Sequence, residues 1–597
     1  MKTKKFLSVL LAFIMIVSII PISNITASAA PSGACGDNLT WIFSEKTGTL
    51  TISGTGDMYD YSNMERPWER HGKSITEIVI NEGVTSIGNC AFSNLLYVMD
   101  VNVSDSVTTI GDRAFAFCFY LPSIVIPENV KSIGCRAFEF CQEITSIVIP
   151  DSVEEIADRA FWYCHSLEDV TIGDGVTKIG EDVFAYCDSL ISVTVNGNNQ
   201  YYSSDENGVL FDKDKTTLLK YPAGNPSTSY VIPEGVTTIA DSAFHICSEL
   251  INISIPDSVT FIGDLVFYDC ENLVSVVIPK GVTFIGDSAF SSCLALKKFT
   301  VDSDNKYFSN DENGVLFNKD KTILVKYPSG NERTSYIIPD SVTRISHYAF
   351  AFSESLVNIV IPDSVEVIDY GAFSNCINLA SIKIPDSVVS IETYAFFDCI
   401  SLENIIVGKG VKTIGMYAFD YCSSLKSITI PDGVTVIETG AFVACDNLKY
   451  VYYSGTEGDW NNVVIKDDNE PLNKASIHFN VKNESDIFTF EVLEPSRTEF
   501  RNRDGIVLHT AVGGNVPDGS YVIWSSDNNN FKEKTEGNNL KVIAKNNGYT
   551  TFTARLYNAD GNVIAIDSVE LYSQSGFFDK IGGLIRFVFG LTKIYES

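Results

Sequence analysis

The chain of 597 residues is too long for a single compact core unless that core grows by repetition. With 45% hydrophobic and 20% charged residues, its composition is that of a folded protein. A formal net charge of -32 argues against nucleic-acid binding and against purely electrostatic attachment to anionic membranes, because both need a basic surface.

Residues 1–29 have the pattern of a secretory signal peptide. Lysines near the start precede a long apolar run, and the small residues Ala27-Ser28-Ala29 follow it. We therefore predict that this segment is removed and that the mature protein is secreted, extracellular or held at the cell surface. An uncleaved membrane anchor is the alternative, which Pro21 disfavours.

Residues 30–74 are predicted to form a β-hairpin. Apolar residues alternate with polar ones on both sides of the turn Lys46-Thr47-Gly48. Such a hairpin would cover the first unit of a repetitive core, whose ends must be capped.

A 23-residue repeat fills residues 75–450. The unit reads L-x-x-I-x-I-P-x-x-V-x-x-I-G-x-x-A-F-x-x-C, and two insertions, near 196–232 and 302–338, lengthen it. The phenylalanine of the unit recurs at Phe92, Phe115, Phe138, Phe161, Phe184, Phe244, Phe267, Phe290, Phe350, Phe373, Phe396, Phe419 and Phe442.

Each part of the unit predicts a local structure. I-x-I-P indicates a short strand with both isoleucines inward, ended by a proline that cannot donate to a strand ladder. V-x-x-I-G indicates a second extended stretch, and A-F-x-x-C has the spacing of a helical or 3₁₀ turn. One unit cannot close its own core, so we predict stacked units that share one.

Eleven of the fourteen cysteines occupy the last position of this unit. A ladder of parallel thiols offers no convergent set of zinc ligands, so we predict free, buried thiols and no metal site. Cys164 is followed by His165, a pairing used by protease nucleophiles, but no other ladder cysteine is followed by histidine. We therefore predict that the pair is not catalytic, that the chain is not an enzyme and that it needs no cofactor.

The two insertions copy each other and are predicted to carry hairpins, with strands at 209–211 and 218–221 in the first. Their "DENG" segments also resemble calcium loops, although no helices flank them, which favours a simple Asn-Gly turn. The candidate calcium ligands are Asp205, Asn207, Asp214, Asp311, Asn313 and Asp320.

Three further segments follow the repeats. Residues 451–481 are predicted to cap the last unit, with Trp460 as a plug. Residues 482–573 alternate short strands with turns and are predicted to form an all-β sandwich, which resembles a bacterial immunoglobulin-like domain. Residues 574–597 are predicted to form an amphipathic helix, which would make a weak membrane or envelope contact or dock on protein.

The units "IVIPDSVEEIADRAFWYC" and "ITIPDGVTVIETGAFVAC" resemble the BspA-like class of bacterial leucine-rich repeats. The resemblance implies an α/β solenoid, a right-handed superhelix of 23-residue units with a parallel β-sheet on its concave face. It also implies a secreted or surface protein of a kind often implicated in adhesion.

Ligand binding by such a solenoid is expected on the outward residues of the I-x-I strands. Val and Thr there also satisfy simple β-propensity, which is the alternative reading of the pattern. The tyrosines near the end, including Tyr453, are the best hot-spot candidates. The candidate ligand-binding residues are Thr171, Thr194, Val277, Val360, Lys383, Ile406, Thr429, Tyr450 and Tyr452.

The sequence thus favours a non-enzymatic recognition or adhesion protein that binds an extracellular protein or glycan and no nucleic acid. The alternative is a structural scaffold of the cell envelope without a soluble ligand. A hydrolase is disfavoured, because no carboxylate pair, Ser-His-Asp set or metal cluster interrupts the repeat.

Overall fold

The computed structural model describes residues 30–62 and 65–481, and beyond them the backbone of eight strands between 489 and 587. The predicted signal peptide lies outside the described residues. The chain forms two compact units. The first comprises Met1–Thr334, Ser341–Leu356 and Asp369–Cys376, and the second comprises Ser335–Asp340, Val357–Ile368 and Ile377–Ser597.

The first unit begins with an antiparallel arrangement that leads into the repeats. The strands Ser32–Ala34, Leu39–Ser44 and Thr49–Gly54 pair in that order, and Thr49–Gly54 then pairs in parallel with Glu77–Ile80, the first I-x-I strand. A short strand, Gly56–Asp57, and a 3₁₀ helix, Glu69–Ser74, complete this segment.

The I-x-I strands stack in parallel, which forms one side of the solenoid, the I-x-I sheet. Their register is one repeat per coil, as in Val148↔Thr171↔Thr194, and their isoleucines point into the core while the residue between them points out. In the first unit these strands are Glu77–Ile80, Asp100–Val103, Ser146–Ile149, Asp169–Ile172, Ser192–Val195, Ser229–Val231, Asn252–Ser254, Ser275–Ile278 and Lys298–Val301.

The V-x-x-I stretches form a second parallel arrangement, the V-x-x-I sheet. Because most coils contribute one strand to each sheet, the core lies between the sheets and grows coil by coil. In the first unit these strands are Val84–Ile87, Thr109–Ile110, Ser132–Ile133, Glu155–Ile156, Lys178–Ile179, Thr238–Ile239, Phe261–Ile262, Phe284–Ile285 and Arg344–Ile345.

The A-F-x-x-C segments form the third side, the turn side. They contain hydrogen bonds between residues three apart, as in the predicted 3₁₀ turn, but no helix. The amides of Arg113, Phe115 and Phe117 donate to carbonyl oxygens of the next coil at 2.7 to 2.9 Å, while that of Ala116 bonds three residues back to Arg113 at 3.2 Å. Arg113 and Phe117 have positive φ, which ends each turn. The described repeats therefore contain single turns in place of helices, and the fold is a parallel β-solenoid rather than the α/β solenoid expected.

The repeat phenylalanines stack through the core next to the turn side. Neighbouring rings lie 5.2 to 5.5 Å apart from Phe92 to Phe161, and the rings are buried. This column replaces the side-chain packing that a helix would give each coil. The handedness of the superhelix and its concave face stay predictions.

Each insertion adds three antiparallel strands, the last of which joins the V-x-x-I sheet. The two predicted hairpin strands are present, and a third precedes them. The strands are Tyr202–Ser204, Leu210–Asp212 and Thr217–Lys220 in the first insertion, and Phe308–Asn310, Leu316–Asn318 and Ile323–Lys326 in the second.

The second unit continues the same architecture. Its I-x-I strands are Ser335–Ile337, Asn358–Val360, Ser381–Lys383, Asn404–Ile406, Ser427–Ile430, Tyr450–Tyr453 and Ser476–His478. Its V-x-x-I strands are Val367–Ile368, Ser390–Ile391, Thr413–Ile414, Val436–Ile437 and Val464–Ile465. Two short helices, Glu457–Trp460 and Glu470–Lys474, follow the last repeat, and Trp460 is buried against Tyr453 at 5.0 Å between ring centroids.

The last strands form two four-stranded antiparallel sheets, and their packing into a sandwich stays a prediction. The first sheet has the order Thr489–Leu493, Ile506–Gly513, Asn539–Ala544, Phe531–Glu536, and the second Tyr521–Ser526, Gly548–Tyr557, Val563–Ser573, Arg586–Phe587. Arg586–Phe587 is a strand where the amphipathic helix was predicted, and the rest of 574–597 lies outside the described residues. No helix within the described part is long and apolar enough to span a membrane.

Candidate ligand-binding site

Four of the nine predicted ligand-binding residues lie in one row across the I-x-I sheet of the second unit. Lys383 is the register partner of Ile406, Ile406 of Thr429, and Thr429 of Tyr452. All four line a groove with a volume of about 350 Å³. The alternation of the strands places them outward because their neighbours, such as Ile405 and Ile428, fill the core.

Charged residues of both signs form one rim of this groove, where the strands end in turns. Asp363, Asp386 and Lys409 lie there, and Lys383 is the second lysine that lines the groove. The Asp386 carboxylate accepts a hydrogen bond from the backbone amide of Lys409 at 2.8 Å, which fixes the turn. Two lysines and two aspartates leave the groove without net charge.

Three aromatic rings form a platform beside the groove, which we call the aromatic platform: Tyr450, Tyr452 and His478. Their ring centroids lie 5.3 to 6.3 Å apart, and Tyr452 belongs to both the platform and the groove. Partial burial lowers the pKa of His478 below 6.5, which favours the neutral imidazole at pH 7.

Sequence reasoning missed His478 because it lies beyond the repeats. The signal was present, since Ser476-Ile477-His478 repeats the alternation of Tyr450-Val451-Tyr452 and the two stretches pair in register. Tyr453, in contrast, was a binding candidate that the structure places in the core. It is only 1% exposed, because the alternation that points Tyr452 outward points Tyr453 into the core.

The remaining candidates lie elsewhere on the I-x-I strands. Thr171, Thr194 and Val277 belong to the first unit, where Thr171 and Thr194 are register partners. Val360 is exposed on the strand next to Ser381–Lys383 in the second unit. These four residues do not line the groove.

Cys164 and His165 do not form a site. The Cys164 thiol is buried and donates to the carbonyl of Phe138 at 3.2 Å, and burial raises its pKa well above the usual value. The His165 ring is partly exposed, with Nδ1 2.8 Å from a carboxylate oxygen of Asp188. The thiol and the imidazole therefore serve separate contacts.

The calcium candidates of the insertions act within turns. Asp205 accepts from the amides of Asn207 and Val209 at 3.0 and 2.9 Å, and Asp311 accepts likewise from those of Asn313 and Val315. Asp214 and Asp320 are exposed. Within residues 30–62 and 65–481, no group of three or more His, Cys, Asp or Glu residues is arranged to hold a metal ion.

A sequence model of one family, described as the BspA type leucine rich repeat region, matches the chain in six copies. The matches cover residues 70–205, 223–315 and 328–459, and the gaps between them fall inside the two insertions. No curated protein matches the chain.

Among solved structures, the chain is similar to a leucine-rich repeat protein from Eubacterium ventriosum ATCC 27560, with 27% identity over 70% of this chain and 95% of that chain and a TM-score of 0.45. It is also similar to a leucine rich cell surface protein from Faecalibacterium prausnitzii A2-165, with 28% identity, 73% and 98% coverage and a TM-score of 0.39. For a leucine-rich repeat protein from Bacteroides ovatus ATCC 8483, the identity is 24%, the coverage 70% and 99%, and the TM-score 0.33.

Proposed function

The chain belongs to the BspA type leucine rich repeat family, and we propose that it is a non-enzymatic recognition or adhesion protein that binds an extracellular protein or glycan. We propose that it is secreted or held at the cell surface, which the signal-peptide pattern of residues 1–29 supports. The observation that carries the binding proposal is the groove formed by Lys383, Ile406, Thr429 and Tyr452.

Lys383, Ile406, Thr429 and Tyr452 occupy the outward positions of I-x-I strands. The core does not dictate the side chain at such a position, because the residues on either side of it are the ones that point inward. A charged, an aliphatic, a hydroxyl and an aromatic side chain follow one another there. A mixture of this kind around a concavity is typical of ligand sites, in which a few polar groups fix the orientation of a ligand on an apolar surface.

The proposal is tested with the mature full chain, immobilised and exposed to a panel of glycans, mucins and matrix proteins. Saturable binding is expected, and Tyr452→Ala should weaken it by about tenfold or more, because buried aromatic anchors dominate binding energy. Tyr421→Ala is the matched control, since Tyr421 is 53% exposed but lies on the turn side of the same unit.

Two outcomes would overturn this proposal. The first is that no member of the panel binds saturably while envelope retention requires residues 482–597, which would support the scaffold alternative. The second is that Tyr421→Ala and Tyr452→Ala weaken binding equally, which would remove the I-x-I sheet as the binding surface.

A further inference from the structure

The groove and the aromatic platform of the second unit combine features that select one class of ligand. We propose that this site binds an uncharged sugar residue of a glycan, with the sugar ring on Tyr452 and its hydroxyl groups toward the rim at Lys383 and Lys409. This inference rests on the proposed function and narrows it from a protein or glycan to a neutral carbohydrate.

The aromatic platform supplies the apolar surface that a sugar ring needs. One face of many sugar rings consists of C–H groups, which pack on aromatic faces and are excluded from water there. Tyr450 and Tyr452 are half-buried, so part of each ring remains accessible, and His478 is exposed beside them. Since Tyr452 also lines the groove, a sugar ring placed on it lies in the same concavity as the polar rim.

The rim supplies both donors and acceptors. A sugar hydroxyl donates one hydrogen bond and accepts others, so it is best satisfied where ammonium groups and carboxylates lie close together. Lys383 and Lys409 provide the donors, and Asp363 and Asp386 provide the acceptors. The hydroxyl of Thr429 lies between the rim and the platform, where it also accepts from the amide of Val407 at 3.0 Å.

The charges disfavour acidic ligands, and the groove itself has no excess of carboxylates that would select a basic one. The two lysines and two aspartates cancel, so the groove offers no excess charge to an ionic group. The chain as a whole carries -32, which repels a polyanionic glycan or an acidic peptide before it reaches the site. A neutral ligand meets neither obstacle.

The geometry also disfavours addition of an extended peptide to the strand that carries Tyr452. The strand Tyr450–Tyr453 is paired on both sides, by Ser427–Ile430 and by Ser476–His478, so a peptide cannot add to it as a further strand. The groove, at about 350 Å³, lies at the lower end of the range for small-ligand sites, which suits one or two sugar rings.

The test is an array of neutral and sialylated oligosaccharides probed with the mature full chain and with its variants. Neutral glycans should bind, Tyr452→Ala should weaken binding by about tenfold or more, and Tyr452→Trp should preserve it within about threefold, because it keeps an aromatic face. Tyr421→Ala should bind like the parent chain. Thermal unfolding of each variant shows whether a loss of binding is a loss of fold.

Two arms distinguish the sources of the sugar. Purified envelope polysaccharide of the producing cell tests binding to its own surface, and mucin oligosaccharides test binding to other cells. Binding in either arm that depends on Tyr452 supports the proposal.

Three results would overturn the inference and separate it from the proposed function. Protein binding that depends on Tyr452 and survives enzymatic deglycosylation of the partner would leave the proposed function intact and refute the sugar. Binding of sialylated glycans alone would refute the charge argument. If no glycan or protein binds at the I-x-I sheet, both proposals fail together.

Discussion

The cysteine ladder shows what a single repeated side chain does in this solenoid. The thiol of Cys141 donates to the carbonyl of Phe115 in the preceding coil at 3.2 Å, and the equivalent contacts of Cys270 and Cys422 have lengths of 3.1 and 3.2 Å. Desolvation raises the pKa of these thiols, which keeps them protonated and unreactive. The ladder therefore joins successive coils through thiol–carbonyl hydrogen bonds.

We expect thiol reagents to distinguish two classes of cysteine. In the native protein only Cys90 and Cys135 are half-buried, whereas the other cysteines are buried, so Ellman's reagent should react promptly with two thiols. In denaturant without reductant it should react with all fourteen. The Cys90→Ser/Cys135→Ser double variant is the control and should show no prompt native reaction. A denatured count well below fourteen would mean that the ladder forms disulfides.

A buried histidine makes the stability of the first unit depend on pH. His245 is 3% exposed, lies 4.4 Å from the ring of Tyr186 and 5.2 Å from that of Tyr268, and its Nδ1 has no hydrogen-bond partner among the described residues. Its pKa is lowered from 6.5 to about 3, chiefly by burial and also by the charge of Lys220, which Asp182 partly offsets. Folding therefore requires the neutral imidazole.

The direction in which stability changes with pH follows from proton binding. Between pH 6.5 and about 3 the unfolded chain binds a proton that the folded chain does not, so this contribution to stability is complete above pH 6.5 and is lost as pH falls. The loss is about 1.4 kcal/mol per pH unit, or about 2 kcal/mol at pH 5. Urea unfolding at pH 7.5 and pH 5 should show His245→Phe to be less pH-sensitive than the parent chain by this amount. His165→Phe, a histidine substitution at a partly exposed site, is the control, and equal behaviour of the two variants would contradict the assignment.

At the scale of the strand, the sequence predicted which residues point outward, because that depends on alternation within one strand. It did not predict the conformation of the A-F-x-x-C segments, because that depends on hydrogen bonds to the next coil. Two inward isoleucines required the residue between them to point outward, which correctly brought Lys383, Ile406, Thr429 and Tyr452 to one face. The spacing of A-F-x-x-C suits a helix equally well. It forms turns because alternate amides bond to the neighbouring coil, a partner that a single unit does not reveal.

The same limit explains why the sequence did not show the groove or the place of His478 beside it. The groove arises from the closeness of four strands and the turns that follow them, so its volume could not be derived from any single unit. His478 reaches the aromatic platform through a strand outside the repeat. The spacing of the repeat thus identified the row of outward residues, but it did not extend that row to His478 in the segment after the last repeat.

Proline interrupts the I-x-I sheet at one coil. At the equivalent position of other coils an amide donates to the coil before it, as Met99 does to Thr76 and Glu168 to Thr145, both at 2.8 Å. Pro122 has no amide hydrogen, and the following residues 123–126 are not a strand, although Ile124 and Ile126 remain buried.

We therefore expect a local opening of the sheet at this coil. In hydrogen exchange, the amides of residues 123–126 should exchange faster than those of Ser146–Ile149, which form a regular strand. Pro122→Glu restores the missing donor with the residue found at position 168, and it should slow this exchange. Ser166→Glu, outside the strand, is the control. Equal exchange in Pro122→Glu and the parent chain would show that the proline is not the cause.

At the scale of the whole solenoid, stability depends on how the repetition ends, because the last repeat is followed by a different segment that must accept its turn-side amides. The amide of Gly440 donates to the carbonyl of Asp467 in that segment at 3.0 Å. In an inner coil the amide of Phe419 donates to the carbonyl of Ala441 at 2.8 Å. For Phe442 in the last repeat, the side-chain Oδ1 of Asn469 accepts instead, at 3.1 Å. The Nδ2 group of Asn469 donates to the carbonyls of Glu438 and Lys466 at 2.9 and 3.0 Å.

Asn469 thus accepts the hydrogen bond that a further coil would accept, and its removal should loosen the end of the second unit. It is 1% exposed, so Asn469→Ala leaves the buried amide of Phe442 without its partner, at a cost of about 2 to 3 kcal/mol. The amide of Phe442 should then exchange about 30- to 100-fold faster, whereas that of Phe419 should change little because its acceptor remains. Asn462→Ala is the matched control, because Asn462 bonds to Gly458 at an exposed position. If exchange at Phe442 is the same in both variants, the solenoid is closed by apolar packing of Trp460 and Leu472 rather than by this hydrogen-bonded substitute for a coil.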